Sequence, residues 1–179
     1  AERMEYLSHC HVLVVGLGGV GAYAAEQICR AGIGHMTIVD ADTVNDSNIN
    51  RQLPALHSTL GMQKAEVVGQ RLLDINPRLK LTILNEFLRD ERTEEVLSAQ
   101  KYDFIVDAID SLSPKAYLLY HAYRREIPIV SSMGAGAKID PSQVKIADIS
   151  KTCNCALAKA VRKRLRGMGL NKGIPVVFS

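Results

Sequence analysis

Gly16-Leu17-Gly18-Gly19-Val20-Gly21 separates a short β-branched run, Val12 to Val15, from an alanine-rich stretch that has helical character to Ala31 and breaks at Gly32. A strand that passes through glycines straight into a helix commits the chain to β-α units, and the next strand then pairs in parallel through a right-handed crossover. The rest of the sequence repeats the unit. Met36 to Val39, Leu79 to Leu84, Phe104 to Val106 and Ile129 to Val130 are short apolar runs of the buried-strand kind. Between them, Gln63 to Ile75 places Ala65, Val68, Leu72 and Ile75 on one helical face and stops at Asn76-Pro77. Pro114 after Ser113 is a helix-start signal for the stretch to Arg125. The pattern predicts an α/β fold: a Rossmann-like, doubly wound, mainly parallel sheet with helices on both faces. After Gly134-Ala135-Gly136 it changes. Val144 to Ile149 reads as a further strand, Leu157, Val161 and Leu165 recur every four residues on a basic helix, and a last apolar run, Val176-Val177-Phe178, closes the sequence.

Composition matters mainly through its distribution. The 179 residues carry 22 Lys+Arg and 19 Asp+Glu, a net charge of +3. Every acidic residue lies at or before Asp148, so residues 1–148 carry −4 and residues 149–179 carry +7. Such a split implies an anionic partner at the C-terminal end. The longest uncharged apolar stretch, Val12 to Ala25, contains four glycines and is well short of the roughly 20 residues that span a bilayer. No membrane-spanning helix and no secretory leader is read. Cys10, Cys29, Cys153 and Cys155 form no pair of Cys-x-x-Cys hooks and are read as reduced thiols of a cytoplasmic protein.

The glycine turn presents backbone N–H groups and the positive end of a helix to whatever lies above the first strand, so it is a phosphate-binding turn. Gly16, Gly18, Gly19 and Gly21 are its nucleotide-binding positions. Asp40 ends the second strand and is placed to accept hydrogen bonds from ribose hydroxyls. These features alone fit a nicotinamide dinucleotide domain equally well. Beyond Asp40, however, Asp42, Asn48, Asn50, Arg51 and Gln52 form a polar loop, and Lys64 enters the first turn of the next helix. A guanidinium and an ammonium beyond the strand ends suit a polyphosphate that loses pyrophosphate, whereas hydride transfer has no need of them. The alternative for both is an ordinary solvated charge. The fourth strand ends Val106-Asp107-Ala108-Ile109-Asp110-Ser111. Asp107 can be a turn cap; Asp110 is read as a Mg²⁺ ligand acting with substrate phosphates.

Together, Gly16-x-Gly18-Gly19-Val20-Gly21, Asp40-x-Asp42, Asn48-x-Asn50-Arg51-Gln52, Gly61-x-x-Lys64-Ala65 and Asp107-Ala108-Ile109-Asp110-Ser111 resemble the ATP-binding core of the ubiquitin-activating-enzyme-like superfamily, which includes the bacterial adenylating enzymes of thiamin and molybdopterin synthesis. Within it, Ser131 to Gly136, Ile139 to Gln143 and the basic helix resemble the tRNA threonylcarbamoyladenosine dehydratase branch. The resemblance implies an adenylation domain over residues 1–150, with 151–179 adding a basic helix and strand to the same domain. It implies that ATP is bound with Asp40 on the ribose and Asn48 and Arg51 on the phosphates. Lys64 stabilises the pyrophosphate leaving group and Asp110 holds Mg²⁺, so Arg51, Lys64 and Asp110 are the expected catalytic residues. A homodimer is implied too, each ATP site completed by an arginine from the partner's N-terminal segment. Against the superfamily's pattern, this sequence is expected to lack residues at both ends.

The shared chemistry is activation of a carboxylate as its acyl-adenylate. In the dehydratase branch the carboxylate belongs to threonylcarbamoyladenosine in tRNA; ring closure follows, AMP leaves, and the net change is loss of water. The competing branch adenylates the C-terminal glycine of a ubiquitin-like sulfur carrier, and a sulfur-transfer protein is a further candidate partner. Carrier-adenylating relatives commonly hold zinc with two Cys-x-x-Cys pairs, and Cys153-x-Cys155 is one residue too tight. Lys159, Arg162, Lys163 and Arg166 project from one side of the basic helix and are the expected tRNA contacts, against the alternative of a solvated face. Catalysis by Cys153 or Cys155 is not expected. His9, Cys10 and His11 look like a ligand cluster, but alternating strand directions favour ordinary strand-edge residues.

Overall fold

The computed structural model describes residues 2–179, apart from the side chain of Arg3. Helix α1 (Glu2–His9) leads into β1 (His11–Val15), and the glycine turn follows, opening α2 (Gly21–Arg30). The alternation continues through β2 (His35–Val39), α3 (Lys64–Ile75), β3 (Lys80–Leu84), α4 (Asp90–Ala99), β4 (Phe104–Asp107), α5 (Leu112–Arg124) and β5 (Ile129–Ser132). The last elements are β6 (Lys145–Asp148), α6 (Ala156–Gly167) and β7 (Pro175–Phe178). They form one seven-stranded sheet in the order β3-β2-β1-β4-β5-β7-β6. All pairings are parallel except the antiparallel β6–β7 edge.

The two faces of β1 show why both sides of the sheet are covered. Its five residues are all buried. Val12 and Val14 pack in one core with Ala22, Ala25, Val68 and Leu72 from α2 and α3. Leu13 and Val15 pack in the other with residues of α4, α5 and α6, among them Val96, Leu119 and Val161. Successive strand side chains point to opposite faces, so a central strand sandwiched by helices must be apolar at every position. Leu157, Val161 and Leu165 face this second core as expected, Leu157 partly exposed.

Three features depart from the sequence reading. Helices α1 and α4 were not anticipated, although α4 buries Thr93, Val96 and Leu97 at helical spacing. The strand expected over 144–149 ends at Asp148, whose carboxylate accepts from the Ser150 and Gly173 N–H groups and turns the chain into a short 3₁₀ segment. And β7 lies between β5 and β6, so the basic tail is threaded into the sheet.

Candidate nucleotide-binding site

Strand order reverses at β1: β2 lies on one side of it and β4 on the other. In an open α/β sheet the crevice at such a point, beyond the carboxyl ends of the strands, is where ligands bind. The turns that follow β1 and β4 meet there in close contact. Gly16 has φ +88°, and a Cβ on it would lie 2.7 Å from the Ala108 carbonyl oxygen. A Cβ on Gly21 would overlap the Gly16 carbonyl oxygen and reach Ala108 Cβ at 3.0 Å. These two glycines therefore serve the approach of one turn to the other, while Gly18 and Gly19 border the space above.

Asp40 fastens the turn. Its Oδ2 accepts from the Leu17 N–H at 2.7 Å and its Oδ1 from the Asp42 N–H at 2.8 Å. Burial raises its carboxyl above the ordinary value, opposed by those two N–H donors and by the Lys64 charge. Asp42 organises its neighbours: its carbonyl accepts from the Lys64 N–H at 2.9 Å, and its Oδ2 pairs with Lys64 Nζ at 3.0 Å. Lys64 is thus not a solvated surface charge. It is buried at the start of α3, held by an exposed carboxylate, and lines the cavity with Gly16, Gly18, Asp40, Asp42 and Asp110.

Gln52 borders the same cavity, with its Nε2 packed 3.6 Å from where a Gly18 Cβ would sit. Its Oε1 is buried and has no hydrogen-bond partner among the described residues. A buried amide oxygen without a donor is costly, which is the condition of a group awaiting a ligand or water. Asp110 is exposed at the rim, with no hydrogen bond among the described residues. One free carboxylate beside a phosphate-binding turn fits Mg²⁺, which takes one or two carboxylates and completes its octahedron with phosphate and water oxygens. Asp107, by contrast, is fully buried: it pairs with Lys115 Nζ at 2.7 Å and accepts from the Ser131 hydroxyl and the Ile109 N–H.

A second cavity adjoins the first, sharing Gly18, Gln52 and Asp110 and continuing over Gly19, Arg51 and the Ser132–Gly136 loop to Leu157 at the start of α6. Arg51 is exposed here and donates to the Ser47 carbonyl at 3.0 Å and Asn50 Oδ1 at 2.8 Å. Asn48 lies elsewhere than expected. It is buried, borders neither cavity, and its Oδ1 accepts from the Asn45 N–H at 3.1 Å. That bond helps to shape the loop that carries Arg51.

On α6, Lys159, Lys163 and Arg166 are exposed. Arg162 is not free: its guanidinium donates to the Thr152 carbonyl at 2.8 Å and to the Thr152 hydroxyl. It ties the helix to the preceding segment and leaves the anion-facing set smaller by one. Cys155 is buried and caps α6, accepting from the Ala158 N–H at 3.4 Å, while Cys153 is exposed. His9, Cys10 and His11 do not converge: His11 is buried against the Thr37 hydroxyl at 2.8 Å, and no group of three or more potential metal ligands occurs among the described residues.

Two parts of the site escaped the sequence reading. The loop after β3 supplies Glu86, Phe87 and Leu88 as one wall of the first cavity. Its position beyond a parallel strand was the available signal. Lys115 was the other. It shares the fully buried face of α5 with Ala116, Leu118, Leu119 and Ala122, and a lysine in such a stripe marks a buried partner.

The sequence pattern of the ThiF family matches residues 1–175. The chain belongs to the ThiF family. Among curated members, it is 43% identical over 178 residues to the tRNA threonylcarbamoyladenosine dehydratase of Bacillus subtilis, covering 99% of this chain and 70% of that protein. Similarity to the molybdopterin-synthase adenylyltransferase of Salmonella typhimurium is lower and shorter, 33% over 139 residues, or 78% of this chain and 54% of that one. The crystal structure of Escherichia coli tRNA N6-threonylcarbamoyladenosine dehydratase in complex with ATP superposes with a TM-score of 0.96 at 39% identity, covering 99% of this chain and 76% of that one. Within the ThiF family the likeness to the dehydratase thus covers 99% of the chain, α6 and β7 included, against 78% for the adenylyltransferase.

Proposed function

We propose that the protein binds ATP in the first cavity and uses it to adenylate the carboxylate of threonylcarbamoyladenosine in tRNA, driving its dehydration to a cyclic product. One observation carries this reading: the phosphate-binding turn, Lys64 and Asp110 surround a cavity that opens, through Gly18, Gln52 and Asp110, into a second cavity bordered by Arg51. Two substrates meeting at one cation-lined junction is what acyl-adenylate formation requires. The similarity to dehydratases along the whole chain chooses the carboxylate.

In this mechanism the glycine turn and the start of α2 hold the phosphates, Asp40 receives the ribose hydroxyls, and the Glu86–Leu88 wall confines the base. Gln52 Oε1 gains a donor when the cavity fills. A carboxylate oxygen attacks the α-phosphorus and the bond to the β-phosphate oxygen breaks. Arg51 and Lys64 neutralise the charge that develops on the departing pyrophosphate, and no protein nucleophile is needed. Asp110 would hold Mg²⁺, which would supply further charge neutralisation. The activated carbonyl is then attacked from within the same nucleoside, the ring closes and AMP leaves with the oxygen that makes the net change a loss of water. The exposed cations of α6, which begins at the second cavity, hold the tRNA backbone. A second copy of the protein completes the ATP site across a homodimer. The four free cysteines fit a reducing compartment, the cytoplasm, where tRNA is found.

Incubation with ATP, Mg²⁺ and tRNA bearing threonylcarbamoyladenosine, followed by mass spectrometry of the nucleosides, tests the reading. Loss of one water from that nucleoside, with pyrophosphate release dependent on the modified tRNA, is the expected result. Pyrophosphate release only with a carrier protein ending in Gly-Gly would assign the protein to the other adenylating branch.

A further inference from the structure

Beneath the junction of the two cavities lies a charged pair with no access to solvent. Lys115 and Asp107 have fully buried side chains and meet at 2.7 Å. Burying such a pair is expensive, and apolar replacements are often neutral or better, so its presence calls for a purpose other than stability. The polar contacts of the pair lead to the turn after β4 and to β5. Lys115 Nζ also donates to the Ile109 carbonyl at 2.7 Å, Asp107 Oδ1 accepts from the Ile109 N–H at 3.0 Å, and Ser131 on β5 donates to Asp107 Oδ2 at 2.5 Å. Ile109 is therefore gripped at both its N–H and its C=O. Its neighbours are Ala108, against which Gly16 and Gly21 pack without room for a Cβ, and Asp110 at the cavity rim.

We propose that Lys115 is the positioning residue of the site: through Asp107 and Ile109 it sets the turn that fixes both the glycine turn and the Asp110 carboxylate. It borders neither cavity. Its burial with Asp107 keeps its charge away from the cavities, whose linings hold Lys64 and Arg51. The effect on turnover rests on the adenylation reading above; the effects on ATP binding and on the turn do not.

The test compares the wild-type protein with Lys115→Met and with Lys115→Met/Asp107→Asn. Four quantities are read: Tm, affinity for ATP with Mg²⁺ by calorimetry, amide exchange at Ile109, and kcat and KM for pyrophosphate release. Lys115→Met leaves a buried carboxylate unpaired and lowers Tm. The double variant removes both charges, and its amide can still accept from the Ile109 N–H and meet the Ser131 hydroxyl, so Tm recovers. The Ile109 carbonyl still lacks its donor, however, so Ile109 exchanges faster, ATP binds about tenfold more weakly, and kcat falls about 10²-fold, the scale of a small misplacement of reacting groups. Recovery of exchange protection and ATP affinity along with Tm would reduce Lys115 to a space-filling core residue and overturn the proposal. Should the double variant not reach the native fold, Ser131→Ala decides, since it loosens the Asp107 anchor without unpairing a charge. Faster exchange at Ile109 there supports the proposal, and wild-type protection overturns it. A wild-type protein that binds ATP but releases no pyrophosphate would defeat the adenylation reading, while affinity and exchange would still decide the role of Lys115.

Discussion

Cations do different work at this site according to what already holds them. Lys64 is buried and paired with Asp42, so an arriving phosphate must share it with a carboxylate that is half in solvent. Arg51 is exposed and restrained, among the described residues, by the Ser47 carbonyl and the Asn50 amide, so it can move onto a substrate at little cost. Asp110 has no hydrogen bond to lose among the described residues. From this follows the first mutational prediction. Arg51→Ala and Asp110→Ala touch no core residue and should each change folding stability by no more than about 0.5 kcal/mol, yet each should lower pyrophosphate release by 10²-fold or more, on the scale of losing one pre-organised electrostatic interaction. Thermal melting beside turnover checks both halves, and near-normal turnover in either variant would refute the role assigned to that residue. The same residues show what a sequence can disclose. Gly16, Asp40, Lys64 and Asp110 stood out because each occupies a fixed position relative to a strand end. Asn48 is harder to read, because an asparagine beside an arginine in a polar loop has the same appearance whether it faces a ligand or the loop's own backbone. Only its burial and its bond to the Asn45 N–H distinguish the two.

Between elements, one connection that can be titrated joins α2 to α3. Glu26 is buried and receives Arg30 of its own helix at 2.8 Å and Arg71 of α3 at 2.6 Å. The Arg71 guanidinium, helped by Arg30 and opposed by burial, holds the Glu26 carboxyl below the ordinary glutamate value of 4.5. A depressed carboxylate favours the fold when ionised, so its contribution is complete above 4.5 and disappears as the pH falls through the lower folded value. Glu26→Gln should accordingly cost about 1 kcal/mol at neutral pH, the upper range for a pair whose arginines are half exposed. The difference between the two denaturation curves should close as the pH drops below 4.5. A gap that stayed constant into acid would mean that the ion pair is not its source. Asp40 has the opposite sign, since burial raises its carboxyl and its protonation accompanies folding at low pH. The elements that Glu26 joins were legible from apolar spacing alone. Helix α4 was not, because Asp90, Glu91, Glu94 and Glu95 make it look solvated although Thr93, Val96 and Leu97 are buried beneath. The strand expected to Ile149 shortened for a local reason as well: Asp148 uses its side chain to turn the chain one residue before the apolar run ends.

Across the whole molecule, the segment of charge −4 contains the nucleotide site and the segment of +7 contributes α6 and β7 to the same sheet. The two are therefore fixed relative to each other, with β7 clamped between β5 and β6 and Leu157 of α6 bordering the second cavity. A large anion lying along α6 would reach the site of chemistry without any domain movement, and this gives the charge asymmetry a geometric meaning that the net +3 conceals. Of the four cations expected to meet it, Lys159, Lys163 and Arg166 are exposed, whereas Arg162 is tied to Thr152. Replacing those three together with alanine should weaken tRNA binding and flatten its dependence on salt by about 0.7 to 0.9 in log–log slope for each phosphate that is no longer neutralised. Arg162→Ala should act differently, lowering Tm by removing the Thr152 anchor while leaving the salt slope nearly as it was. Binding isotherms for the two proteins over a range of salt concentrations separate these outcomes. If the triple variant kept the wild-type slope, the tRNA would have to approach the second cavity from another side, and the positive tail would serve the sheet alone.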